Sequence, residues 1–517
     1  MSTRAMTLAT GAPVVTLRNA PVDPYDGAIA AARTCYAPRL ITTRDLTDTQ
    51  RANIGKLTYD GGHHTVYQHA HFEFGLEQVS RQFVWSFLHS HPFYNSEQQS
   101  QRYVKMGEPR AHVPPSLAGE ARGVFERAVL DAWASYERLS ALLKDDTFRI
   151  LKELRYVTPN VSAERLRGIE REAEKKSIET ARYVIPLAAF TAMVHTISGI
   201  TLYRLWRMAE SGDAPGETRT IVAAMVDAVR AHDPQLFDRI AVEPIARESL
   251  PEAAVAVGRH STAFAQQFDA RLGGRVSKLI DASPEAEWVT AEAVRAVFGL
   301  DAAEMPDDEA IARALDPSQN RLRLDTLNLS YHSPLMRALQ HAHYVFAKRI
   351  SHTADSQDQR HRMVPASRPL MTMADAPEPD VVMPQLIAAN PAARAEFEAQ
   401  VARAWAARDR LLSLGVPREL ALYVLPNATA VRFIESGPLI ALVHKWTMRT
   451  CFNAQEEIYR ASMDEVEQVQ ARHPRLGRHL GPPCVIRNGL ISPRCTEGTH
   501  FCGVPVWRDW PNAVRRL

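Results

Sequence analysis

One series of landmarks occurs twice along the chain in the same order, and a repeat of that length means the chain must be read as two related units before any local motif is weighed. Tyr183-Val184-Ile185-Pro186 returns as Tyr423-Val424-Leu425-Pro426. Glu217 lies 31 positions after the first proline and Glu457 31 after the second, and Pro234 and Pro474 each follow at 48. Upstream, His64-Thr65-Val66 pairs with His332-Ser333-Pro334, and Ser100-Gln101-Arg102-Tyr103 with Asp358-Gln359-Arg360-His361. The entrances agree as well: Val14-Val15-Thr16-Leu17 before Pro24, and Val276-Ser277-Lys278-Leu279-Ile280 before Pro284, each read as a short strand leading into an alanine-rich helix.

These landmarks draw a first copy over residues 10–245, a helical linker over 246–271, a second copy over 272–480 and a tail over 481–517. Apolar residues spaced by three and four over 120–180 and 392–415 predict surface helices. The alternation in HAHFEFGLEQVSRQFVW predicts a half-buried strand. The fold class is therefore α+β and helix-rich. Lys plus Arg total 61 against 59 Asp plus Glu, which excludes a general nucleic-acid or membrane-surface binder, so any anion must be held by a local pocket. No apolar run reaches the ~18 residues of a membrane span and the start has no signal-peptide core, which places the chain in the cytoplasm. Five cysteines, an odd number, argue against a disulfide framework.

Glu97-Gln98-Gln99-Ser100-Gln101-Arg102-Tyr103 carries the clearest chemistry. In an extended chain the Ser100 hydroxyl and Arg102 guanidinium point to the same side, a pairing that suits phosphate or carboxylate. The alternative is a surface ion pair. Arg182, just ahead of Pro186, reaches for the same anion or else pairs with Glu179 or caps a helix. Its counterpart in the second copy is Leu422. Arg449-Thr450-Cys451-Phe452-Asn453-Ala454-Gln455-Glu456-Glu457 sets polar groups on a loop before a helix, and of these the first copy keeps only the glutamate, as Glu217. In the tail, Cys484, Cys495, His500 and Cys502 make up a Cys3His set that could hold a structural zinc, the alternative being reduced, packed thiols.

Together these segments resemble the flavin-dependent thymidylate synthases, present twice. The family signature reads Arg-His-Arg, then a serine and Asn-Glu-x-Ser-x-Arg-Tyr; here the second part matches at Glu97 to Tyr103, while His89-Ser90-His91 stands at the first part, which holds flavin in the family. In the second copy Lys348-Arg349-Ile350 lies near that position and Asp358 replaces the phosphate-binding serine. The resemblance implies two tandem copies of that fold. It also implies methylation of dUMP to dTMP with methylenetetrahydrofolate as donor, FAD as cofactor and NADPH as reductant. Ser100, Arg102 and Arg182 are implied to hold the phosphate and Arg449 the base, with Tyr103 and Gln455 also substrate-binding, and His69, His89, His91 and Arg349 are implied at the flavin. Because the family builds its sites between the subunits of a tetramer, a fused duplicate is expected to form a homodimer equivalent to four units. Two other readings stand beside this one: a degenerate relative that binds nucleotide or acts as a scaffold, and a different uracil-nucleotide-modifying enzyme on the same frame.

Overall fold

The computed structural model describes residues 6–102, 105–212, 214–254 and 261–517. Two four-stranded antiparallel sheets organise it. In the first, β1 (Val14–Asn19), β2 (His71–Ser80), β3 (Asn95–Gln98) and β4 (Phe190–Ser198) lie in the order β1-β2-β4-β3. In the second, β5 (Ser277–Ala282), β6 (His343–Ser351), β7 (Ala366–Ser367) and β8 (Ala430–Pro438) lie in the order β5-β6-β8-β7. The strongly apolar face of β2, with Phe72, Phe74 and Leu76 fully buried, is covered by helices of its own half.

In the first half the helices that matter are α1 (Arg81–His89), α2 (Gly119–Leu154), α3 (Ala163–Ala181), α4 (Gly199–Arg207) and α5 (Pro215–His232). Those of the second are α6 (His352–Asp358), α7 (Pro391–Ser413), α8 (Leu439–Arg449) and α9 (Glu456–Arg472). The expected helices over 120–180 and 392–415 are thus present, the former broken in two. The expected strand through HAHFEFGLEQVSRQFVW stops at Ser80. There the serine hydroxyl accepts from Phe83 N–H at 2.8 Å and caps a helix. Ser351 does the same for Ala354 at 3.1 Å.

These two serines give the true correspondence between the halves. Ser80 donates its N–H and hydroxyl to Glu217 at 2.8 and 2.6 Å, and Ser351 donates the same pair to Glu457 at 2.7 and 2.6 Å. Nine positions on, His89 in the first half answers Arg360 in the second. The edge strands agree: Ser96 lies opposite His195 and Ala366 opposite Glu435, and those partners sit at the same place in β4 and β8. Asp358 therefore answers Phe87 and not Ser100, whose counterpart is Leu370. This corrects the pairing drawn from the shared Gln-Arg letters, and it moves Lys348-Arg349-Ile350 out of the Arg-His-Arg position and into strand β6.

The halves meet around an approximate two-fold. Leu187 and Ala188 N–H donate to Leu425 and Tyr423 carbonyls, and Asn427 and Ala428 N–H donate to Ile185 and Tyr183 carbonyls, at 2.8–2.9 Å. Tyr183 donates its hydroxyl to Glu457, and Tyr423 donates reciprocally to Glu217. Helices α2 and α7 pack across the same junction, so Trp133 and Tyr136 share one core with Phe397 and Trp405.

The tail runs back over the first half as a strap. Arg155 Nη2 donates to the Phe501 carbonyl at 3.4 Å, Arg516 pairs with Glu153 at 2.8 Å, and Leu517 packs against the cluster of Leu151, Ile169 and Ala173. Of the residues expected to form a zinc knuckle, Cys484 and Cys502 pack against the apolar cluster of Phe452, Tyr459 and Val506, near Cys495 and Cys451, and burial pushes the Cys484 thiol up to about 12. His500 lies exposed, its carbonyl taken by Asn453 Nδ2 at 2.7 Å. Among the described residues no three His, Cys, Asp or Glu side chains are grouped to hold a metal. All five cysteines are free, and no helix of the described residues is long and apolar enough to cross a membrane.

Candidate functional site: a cationic cleft between the halves

Beyond β3 the chain turns, so Ser100 and Arg102 are not in extended backbone; Arg102 N–H folds back onto Ser100 Oγ at 3.2 Å. Both residues line a cleft of about 230 Å³ together with Arg81 and Arg182 of the first half and Gln357, Arg360 and Arg362 of the second. Five guanidinium groups thus face one space. Arg360 Nη2 pairs with Glu97 at 2.7 Å, Arg362 Nη2 donates to Asn95 Oδ1 at 3.1 Å, and the Arg362 guanidinium lies 5.2 Å over the Tyr94 ring. Through these contacts the second half grips the strand leading to Ser100. Ser100 and Gln101 also line a neighbouring cavity of about 650 Å³ walled by Trp133, Phe190 and Met106.

Burial leaves part of this charge unspent. Arg182 is 3% exposed, and its Nε and Nη2 have no hydrogen-bond partner among the described residues; the same holds for Arg81 Nε and both amide atoms of Gln357. Burial, then the neighbouring Arg182, lowers Arg81 to about 9, which still leaves it cationic at neutral pH. Buried donors without acceptors cost free energy that an incoming anion recovers. Arg102, by contrast, holds Glu179 at 2.5 Å and donates to the Asn453 carbonyl at 2.7 Å, tying this wall to the loop after α8.

Burial alone would raise Glu179, but Lys176, Arg102 and Arg182 outweigh it and hold the carboxyl at about 2, below its ordinary 4.5. A carboxylate with a depressed folded pKa stabilises fully above the unfolded value and loses that contribution as pH falls through the window toward 2. Glu179→Gln is therefore expected to flatten the part of the acid-unfolding profile between about pH 4.5 and 2, measured by denaturant midpoints across that range; an unaltered profile would show that the ion cluster does not form.

Arg449 packs behind the cleft. It donates Nε to His361 Nε2 at 2.8 Å and Nη2 to the carbonyl of Gln357 at 3.4 Å. Gln455 caps α9 by accepting from Ile458 N–H at 3.1 Å and also donates to the Tyr183 hydroxyl, so its side chain links the halves. Tyr103 lies outside the described residues.

The two-fold mate of the cleft is a space of about 520 Å³ lined by Phe87, His89, His91, Phe93, Met208 and Leu370. Here the cleft's own cationic groups are replaced: Leu370 answers Ser100, Thr372 answers Arg102, Leu422 answers Arg182, and His89 and His91 answer Arg360 and Arg362. The two guanidinium groups that line this space are Arg204 and Arg368, the latter paired with Asp355 at 2.8 Å. Burial, then Arg204, lowers His91 to about 4. His89 and His91 thus belong to the altered space and not to the cationic cleft. Arg349 and His69, expected at a flavin, lie elsewhere as well. Arg349 pairs with Asp380 at 2.8 Å, and His69 is exposed in the turn before β2.

The residues that sequence reasoning passed over are Arg360-His361-Arg362, an intact Arg-His-Arg, and with them Arg81 and Gln357. The triplet is legible in the sequence once the capping serines, and not the Gln-Arg pair, set the alignment.

The cationic cleft lies where the two matching halves meet. Residues 17–235 and 278–475 both match the family model described as thymidylate synthase complementing protein, and the chain belongs to that family. It is similar to the flavin-dependent thymidylate synthase of Clostridium tetani, 27% identical over 234 residues covering 44% of this chain and 87% of the relative. That of Sulfurisphaera tokodaii is 33% identical over 188 residues, 32% of this chain and 72% of the relative. That of Geobacter sulfurreducens is 32% identical over 169 residues, 32% and 70%.

Proposed function

We propose that the chain is an internally duplicated flavin-dependent thymidylate synthase that methylates dUMP to dTMP, with methylenetetrahydrofolate as one-carbon donor and NADPH as reductant. One competent site per chain is built from complementary halves. The observation that carries this reading is the meeting of Ser100, Arg102 and Arg182 with Arg360 and Arg362 in one cleft, against a mate that lacks all five. In this reading Ser100, Arg102 and Arg182 hold the nucleotide phosphate, which the unpartnered donors of Arg182 fit. Arg449, steadied by His361, addresses the base.

The intact Arg360-His361-Arg362 and the unpartnered Gln357 amide would hold a flavin, and FAD bound there would supply the carrier for the one-carbon unit. With one competent and one altered cleft per chain, two chains in a cytoplasmic homodimer make the equivalent of a four-unit assembly.

The test is the visible spectrum of the purified protein before and after FAD addition and desalting, with dUMP titrated by calorimetry. A retained flavin band and dUMP binding are expected, with Arg102→Ala weakening dUMP by about 1.5–3 kcal/mol, the scale of charge-assisted hydrogen bonds. A colourless protein that binds dUMP would favour a nucleotide sensor, and one that binds neither would sink the reading.

A further inference from the structure

Five ionisable side chains are packed together inside the second half at no more than 2% exposure: Lys348 on β6, Asp358 on α6, Glu435 on β8, Lys445 on α8 and Glu465 on α9. Lys348 Nζ lies 3.2 Å from Asp358 and 2.7 Å from Glu465 and also pairs with Glu435. Lys445 Nζ reaches Asp358 at 2.7 Å and Glu435 at 2.5 Å. Glu465 further accepts from Trp446 Nε1 at 2.7 Å and Ser277 Oγ at 2.9 Å.

The first half shows what the fold itself requires at these places. Its equivalents are Leu76, Phe87, His195, Leu205 and Met225, all buried. His195 is lowered to about 3 by burial, then His91, so none of the five carries charge at neutral pH. The same sheet and helices thus close around an apolar core. Burying two ammonium and three carboxylate groups instead costs desolvation that their pairing at best repays, and hydrophobic replacement of such clusters is commonly neutral or stabilising. Stability gives no reason for the exchange.

Position does. Asp358 stands two residues before Arg360, and Lys445 one helical turn before Arg449. The Lys445–Asp358 pair therefore clamps α8 to the end of α6 directly behind the contacts that Arg449 makes with His361 and Gln357. We infer that this buried ion cluster is a positioning device for the competent cleft, fixing Arg449 and the Arg360–Arg362 segment against each other. Its members are positioning residues that touch no ligand, and the inference rests on the function proposed above. In the first half the equivalent segment carries His89 and His91 in place of Arg360 and Arg362, so there is no guanidinium pair to hold, which accounts for its apolar core.

The test pairs Lys445→Met with Glu435→Gln, which removes one charge of each sign and leaves Asp358 paired to Lys348. The expected result is an unchanged or raised melting temperature with dUMP affinity lowered about tenfold, the scale of couplings through residues that do not touch ligand. Because the loss acts through Arg449, Arg449→Ala should cost little more in that background than in the wild type, a non-additive cycle. Exchange of all five residues for their first-half equivalents is expected to give the same pattern. Wild-type dUMP binding and its weakening by Arg102→Ala serve as the control, and failure of that control overturns both the proposed function and this inference. With the control intact, unchanged dUMP affinity, a fully additive cycle, or a fall in melting temperature with affinity kept would overturn the positioning role alone.

Discussion

Arg182→Leu will weaken dUMP binding by about 1.5–3 kcal/mol, tenfold or more, while leaving the melting temperature unchanged or raising it. The second half has already made this exchange: Leu422 occupies the equivalent place at 1% exposure and belongs to the core shared by the two halves. An alkyl side chain therefore fits. Arg182 sits in the same setting at 3% exposure, its pKa lowered by burial, with Nε and Nη2 unpartnered among the described residues. A buried cation in that state destabilises the fold that contains it and is kept for what it binds. Calorimetry and thermal melting on the one variant separate the two roles. A variant that melts lower and binds dUMP as before would make Arg182 a structural partner of Glu179 and remove it from the site.

How far the sequence could be read is clearest at the points where the reading slipped. The Tyr-Val-x-Pro landmarks and the glutamates 31 positions beyond them are places where the fold has no freedom. Tyr183 and Tyr423 cross the two-fold, and Glu217 and Glu457 receive them. Ser100, Arg102 and Arg182 stand out in the sequence because paired donors for an anion are a chemical pattern independent of register. The Arg-His-Arg triplet was missed because Gln101-Arg102 and Gln359-Arg360 share letters, and that match slides the second copy along by about a dozen positions. The edge strand that would have fixed the register is only Ala366–Ser367 in the second half, too short to leave an alternating pattern. The ion cluster was invisible for a different reason: Lys348, Asp358, Glu435, Lys445 and Glu465 sit on five elements, and single charges on each look like ordinary surface residues until the elements pack.

Glu457→Ala and Glu217→Ala will each destabilise the chain by about 3–5 kcal/mol, the cost of stripping a buried network of its charged partner. Each carboxylate accepts from the amide and hydroxyl of the serine that turns a strand into a helix, and from a tyrosine of the opposite half. Removing it leaves those donors buried without an acceptor and unties the halves at the same stroke. Denaturant midpoints should fall by similar amounts, since the two networks are equivalent. Binding should not follow that symmetry. Glu457 shares Tyr183 with Gln455, and Tyr183 follows Arg182, so its loss loosens the wall that joins both halves of the cationic cleft. Glu217 holds Tyr423, which follows Leu422 of the altered cleft, and Ser80, which precedes Arg81 at the edge of the cationic one. Measured at a temperature where both variants stay folded, dUMP affinity should drop more for Glu457→Ala than for Glu217→Ala. Equal losses of affinity would mean that both clefts take nucleotide, and that the division of labour between the halves is wrong.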